Sequence, residues 1–176
     1  MATLKPLGIC ICGLNGCGKT TLGKVLASAL DCAHLDAENY FFPDGTENYA
    51  SPRPQAEAEE TTVADMAKHR RFVYSAVSGH MRTRPDVQYD LVIYLHAPRT
   101  VRLERVEARS RAKFGERVRP GGDLYDRERD FLTFIAERSP DRLEQWLATL
   151  SCPVFRLDAT ADTDTLLRTI LSQIKD

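Results

Sequence analysis

What this 176-residue chain lacks narrows the field first. It has almost no net charge, with 24 Lys and Arg against 25 Asp and Glu and a balance of −1. No broad basic field is therefore available to hold nucleic acid, and no nucleic-acid partner is expected. No apolar run approaches the roughly 20 residues that a membrane-spanning helix needs, so no membrane partner is expected either. Met1–Pro6 leads almost directly into an apolar run without a secretory pattern. The expectation is a soluble cytoplasmic protein. The five cysteines (Cys10, Cys12, Cys17, Cys32 and Cys152) show no paired zinc-type spacing. The guanine-reading sequence Asn-Lys-x-Asp does not occur, which disfavours a GTPase switch. Neither an internal repeat nor a low-complexity linker divides the chain, so one domain over residues 1–176 is expected.

What is present is concentrated near the start. Gly13-Leu14-Asn15-Gly16-Cys17-Gly18-Lys19-Thr20 fits Gly-x4-Gly-Lys-[Ser/Thr]. Leu7–Cys12 before it reads as a strand. Thr21–Leu30 after it carries Leu22, Val25, Leu26, Ala29 and Leu30 at helical spacing. A strand, a Gly-rich turn and a helix N-terminus together cradle polyphosphate. Gly13, Gly16 and Gly18 let backbone N–H groups crowd the phosphates. Lys19 reaches the β- and γ-phosphates, the Thr20 hydroxyl ligates Mg²⁺, and Thr21 continues the binding turn. Asn15 is placed to donate near the β–γ bridge. Cys17 lies near Lys19 and a helix N-terminus, which favours thiolate and a redox switch; a small residue in a tight loop is the plainer alternative. Cys10 and Cys12 share one strand face and read as core fillers.

The remaining elements alternate. Ala33–Leu35 is a short strand ending at Asp36, and Asn39–Pro54 has loop character. Gln55–His69 reads as a helix, Phe72–Val77 as a strand ending in Ser78-Gly79, and Asp90–Leu95 as a strand covered on both faces. Pro98 opens a helix to about Ser110, and Lys113–Tyr125 reads as a mobile loop. Glu128–Ile135 and Arg142–Leu150 are helical, Val154–Leu157 is the last strand, and Thr165–Ile174 closes the chain. Phe131, Phe134, Ile135, Leu143, Trp146, Leu147 and Leu150 form an apolar series read as core, or as packing against the lid. This order predicts an α/β, three-layer fold: a five-stranded parallel sheet with helices on both faces and a lid. Ligands then sit beyond the carboxyl ends of the strands. That rule brings Gly13–Thr20, Asp36, Glu38, Ser78–His80 and Asp158–Thr160 towards one rim.

Acids dominate between Asp31 and Asp65, and bases between Arg99 and Arg119. Arg105 and Arg109 lie four apart and so share a helix face before the polar segment, as suits closure over transferring phosphates. A solvated helix face is the other use of such a run.

These residues resemble the small P-loop kinases of the adenylate kinase, shikimate kinase and gluconate kinase group. The likeness covers nearly the whole chain. Gly13–Thr21 resembles their phosphate loop. Tyr94–Pro98 followed by Leu103–Arg109 resembles their fourth strand and the helix to the lid. The resemblance implies that Arg105 packs on the nucleotide base and Arg109 contacts transferred phosphate. Leu157-Asp158-Ala159-Thr160 resembles the turn where backbone groups meet adenine, which puts Asp158 and Ala159 at the nucleotide. The spacing Asp36-Ala37-Glu38 is similar to the Asp-x-Asp of shikimate and gluconate kinases. By that likeness Asp36 organises Mg²⁺ or activates the acceptor, and Glu38 holds substrate. The Thr-Gly-Asp, Gly-Phe-Pro-Arg and triple-glycine turns of individual kinase families are missing.

The expected activity is transfer of the γ-phosphoryl group of ATP to a small-molecule hydroxyl or phosphate, with Mg²⁺ as cofactor and a monomer or homodimer as the assembly. Lys19, Asp36 and Arg109 are the catalytic candidates. Residues 111–127 form the lid and residues 37–70 the acceptor-binding segment. Glu38, Arg53, Ser78 and Gly79 are the acceptor candidates. Each has an ordinary alternative: Asp36 as a cap, Arg53 in a rigid Pro-Arg-Pro turn, His80 as a loop residue, Arg117 and Arg119 as solvated lid charges. No acid ends the third strand, which shifts metal binding to Asp36. A regulatory ATP-binding protein with slow hydrolysis is the competing function.

Overall fold

The computed structural model describes residues 7–43 and 52–174. Five strands make one all-parallel sheet in the order β2-β3-β1-β4-β5. They are β1 (Leu7–Cys12), β2 (Ala33–Asp36), β3 (Arg71–Ser75), β4 (Leu91–His96) and β5 (Val154–Asp158). The helices are α1 (Lys19–Ala29), α2 (Ala37–Phe41), α3 (Gln55–Met66), α4 (Arg99–Phe114), α5 (Tyr125–Glu137), α6 (Asp141–Leu147) and α7 (Thr163–Gln173). The alternation read from the sequence is this fold.

Side chains alternate across a strand, and β1 therefore feeds two cores. Ile9 and Ile11 join Leu22 and Leu26 of α1, Ile93 and Leu95 of β4, and Ile170 of α7 on one face. Cys10 and Cys12 face the other side, with Tyr74, Val92, Tyr94, and Leu143 and Leu147 of α6. Both thiols are fully buried, as core fillers should be. A strand apolar on both faces belongs mid-sheet, where helices cover it twice. β1 pairs with β3 on one side and β4 on the other, so the loop after it opens at the centre of the sheet's carboxyl edge.

Two elements depart from expectation. Residues 39–41 are helical within α2 rather than loop. The Asp36 side chain accepts from Glu38 N at 3.0 Å and nucleates this short helix as its cap. Residues 44–51 of the predicted loop and acceptor segment lie outside the described residues. Lys113–Tyr125, read as a mobile loop, carries the end of α4, a 3₁₀ turn over Gly115–Val118 and the first residue of α5. Arg117 grips Asp123 with Nε–Oδ1 and Nη2–Oδ2 distances of 3.0 and 2.8 Å, while Leu124 N donates to Arg117 O at 2.9 Å. Local hydrogen bonds shape the segment, a possibility its polar composition concealed.

Candidate active site

The turn between β1 and α1 is set by backbone geometry. Gly18 caps α1 in the left-handed region with φ 84°, which costs a side-chain-bearing residue about 1 kcal/mol or more. Gly16, with φ 85°, lies against the first turns of α4; an added Cβ would drive into the Arg102 carbonyl. Arg102 is buried, and its Nη1 donates to Asn15 O at 3.3 Å. Arg138, just after α5, donates to Asn15 Oδ1 at 3.0 Å. Its guanidinium pKa is lowered by burial and by the neighbouring Arg102 charge. Asn15, expected to serve the bridging phosphate region, spends its Oδ1 and carbonyl on two arginines.

Lys19 Nζ donates to Leu14 O at 3.2 Å. Burial lowers its pKa, partly offset by Cys17 and Asp36. An incoming polyphosphate would favour the charged ammonium that burial penalises. Thr20 Oγ1 donates to Asp36 Oδ2 at 2.6 Å, so the two residues assigned to the metal meet directly. Asp36 is both cap and site: Oδ1 holds α2 and Oδ2 holds the phosphate-loop threonine. The pairing follows from register, because β2 beside β3 puts Asp36 opposite Ser75, and the Ser75 hydroxyl donates to Lys19 O at 3.2 Å.

Two cavities open from this cluster. One, of about 360 Å³, is lined by Gly16, Cys17, Gly18, Arg105, Arg109 and Ala159, among others. The other, of about 610 Å³, runs from Thr20 and Glu38 to α5 and the segment after α4. Thr21 and Arg109 line both. Ala159 lines the smaller cavity together with the phosphate-loop glycines Gly16 and Gly18. The Asp158 carboxylate instead accepts from Thr160 N and Oγ1 at 2.9 and 2.8 Å, shaping the turn; those bonds lower its pKa.

The other candidates make contacts of their own. Cys17 is buried in the α1 core, and burial raises its thiol pKa against the lowering by Lys19, Arg102 and Arg105, so the thiolate is disfavoured. Arg53 pairs with Glu57 at 3.1 Å and lines neither cavity. Gly79 packs against Trp146 and Cys10 and receives the Tyr89 hydroxyl on its carbonyl at 3.0 Å. Ser78 Oγ accepts from His80 N at 3.1 Å. Val77, at the start of the turn after β3, accepts from Gly13 N of the phosphate loop at 3.2 Å, while Gly79 turns onto Trp146 and neither Ser78 nor Gly79 lines either cavity. Arg119 pairs with Glu116 at 3.0 Å, and Arg117 with Asp123, within the lid segment itself. The sequence reading missed Arg102, Arg138, Phe42, Phe114 and Glu128. A single Arg after a helix or a Phe at a helix end carries no local signal of the cavity it reaches.

A phosphate loop at the centre of a parallel 2-3-1-4-5 sheet, with a basic helix face above it, defines a P-loop nucleotide-binding protein with a small-kinase fold. The model of the AAA domain family matches residues 9–119, and the chain belongs to that family. It is 30% identical to the uncharacterized protein YqaC of Bacillus subtilis, over 84% of this chain and 86% of YqaC. It is 32% identical to the shikimate kinase of Synechococcus elongatus, over 61% of each chain. Among solved structures, deoxyadenosine kinase from M. mycoides superposes with a TM-score of 0.61 at 14% identity, over 96% of this chain and 98% of that one. The shikimate kinase and the deoxyadenosine kinase are small-molecule kinases, whereas YqaC carries no assigned activity. No helix among the described residues is long and apolar enough to cross a membrane.

Proposed function

We propose that the protein transfers the γ-phosphoryl group of ATP to the hydroxyl of a small molecule. One observation carries this reading: a cleft over the phosphate loop and a larger cavity beyond it meet at Thr21 and Arg109, beside Lys19, Thr20 and Asp36. A nucleotide in the first and an acceptor in the second would face each other across that shared wall.

Lys19 and the loop amides hold the β- and γ-phosphates, Arg105 covers the base side, and Ala159 floors it. Arg109 faces the oxygens on which charge spreads as the bond to the β-phosphate breaks and the bond to the acceptor oxygen forms. Asp36 orients the acceptor hydroxyl and takes up its proton. The hydroxyl and carboxylate oxygens of Thr20 and Asp36, 2.6 Å apart, fit the oxygen-rich surroundings Mg²⁺ prefers. When bound with ATP, that ion supplies positive charge to the phosphates. Residues 111–127 close over the cavity as a lid, and Glu38 lines its acceptor side.

ADP release in a panel of nucleosides, nucleoside monophosphates and sugar or polyol acids tests the proposal. Strong stimulation by one class is expected; unchanged slow hydrolysis across the panel would favour a regulatory ATPase instead. Arg109→Ala should lower kcat by about 100-fold, more than it weakens ATP binding. A change in affinity alone would remove Arg109 from the transition state.

A further inference from the structure

The larger cavity carries chemical information beyond the presence of an acceptor. Resting on the kinase reading, we infer that the acceptor is a nucleoside-like alcohol: a hydroxyl carried by a flat, largely apolar ring system that presents N–H donors. Glu128 is the residue that selects it.

Three aromatic side chains reach this cavity from three separate elements: Phe42 at the end of α2, Phe114 at the end of α4 and Phe131 on α5. None of the three belongs to either packed core cluster, and all are half-buried. They are therefore walls rather than filling. Val118 and Leu124 extend the apolar surface. Aromatic faces favour flat rings, by stacking or edge contact. A polyol acid would press hydroxyls against this hydrocarbon and lose hydrogen bonds to water, which is costly without replacement. The volume of about 610 Å³ falls within the ordinary range of small-molecule sites.

Glu128 supplies the polar specificity. It lies in the first turn of α5 and lines the cavity, and its Oε1 is buried without a hydrogen-bond partner. A buried carboxylate oxygen left unpaired is expensive, and a donor from a ligand removes that cost. Glu38 adds a second carboxylate to the same lining. An anionic acceptor would bring like charge towards both. Lys113 and Arg127 also line the cavity; Lys113 lies 5.1 Å from the centroid of the Phe114 ring, and neither cation is without a partner. A neutral ring with amine or ring N–H groups meets both the aromatic walls and the acidic ones.

The test uses the full chain with ATP and Mg²⁺, and measures ADP release with adenosine, deoxyadenosine, cytidine, deoxycytidine, gluconate, shikimate and nucleoside monophosphates. Stimulation by one or more nucleosides is expected. Glu128→Leu should raise KM for that nucleoside about tenfold or more, the scale of one lost hydrogen bond to a charged group, with the loss falling on KM rather than kcat. Glu128→Gln, which keeps a carbonyl oxygen, should recover most of it. Phe131→Ala is a second, independent variant and should also raise KM for the nucleoside. Stimulation only by gluconate, shikimate or monophosphates would overturn the inference and leave the kinase reading standing. If no compound stimulates, and calorimetry finds no heat when nucleosides are added to the ADP–Mg²⁺ complex, both readings fall. Nucleoside turnover with an unchanged KM in folded Glu128→Leu would remove Glu128 from selection.

Discussion

Single residues decide whether the phosphate loop exists in its binding form. Lys19 is a half-buried ammonium held on Leu14 O, its pKa lowered by burial. A charge already desolvated and positioned acts strongly on a transition state, so Lys19→Ala should cost about 100-fold or more in ADP release. Equal turnover in mutant and parent would show that the triphosphate lies elsewhere. Gly16 carries a different burden, because its positive φ and the Arg102 backbone both exclude a side chain. Gly16→Ala should destabilise the fold by about 2 kcal/mol or more through strain and displacement of α4. A denaturant midpoint unchanged from the parent would contradict that packing. Arg102 and Arg138, meeting on Asn15, hold the loop from the outside and were not foreseeable from their own neighbourhoods in sequence.

At the scale of elements, α1 packs closely on the β2–β3 edge. His34 Nε2 lies 2.9 Å from Ser75 Oγ, and a Cβ on Gly23 of α1 would strike both. Burial lowers the His34 pKa below its ordinary 6.5, with Asp36 opposing part of that shift. The unfolded chain therefore takes up this proton first as pH falls. Stability should decline as pH drops below about 6.5, until the folded site is protonated as well. The carboxylates of Glu59, Asp65 and Asp123 have pKa values lowered from 4.5, 3.8 and 3.8, so their contribution is lost only at lower pH. Urea titrations between pH 7 and 5 should show a slope in the parent that His34→Gln largely lacks. Parallel lines for the two proteins would mean that His34 is not differentially protonated.

For the whole molecule, the relevant property is that α1, α4, α5 and the turn after β5 line two cavities that share Thr21 and Arg109. Ligand that bridges them should stabilise the folded state by mass action, about 2.7 kcal/mol at a concentration 100 times Kd. For a chain of this size that corresponds to a melting shift of roughly 5–10 °C. ATP with Mg²⁺ should give this shift in the parent and little of it in Lys19→Ala. A parent protein whose melting temperature ignores the nucleotide would not have the cleft proposed for it.

Local pattern was enough for much of this. The Gly-rich octet, the apolar runs on either side of it and the Arg105–Arg109 spacing are short-range signals, because backbone conformation and helix faces depend on residues a few positions apart. The same holds for strand alternation, and hence for the parallel sheet. α2 was partly missed because five residues are too few to display a helical period. For Cys17 the charged neighbours are visible in sequence, while the burial that supports its plainer reading as a small residue in a tight loop is not. Ser78 and Gly79 end the expected strand, yet their turn packs towards α6. The contacts from Asn15 to Arg102 and Arg138 span 87 and 123 residues, and the aromatic walls come from three different helices. Which side chains share a cavity is decided by how helices dock on the sheet, and docking is a property of the packed whole rather than of any segment.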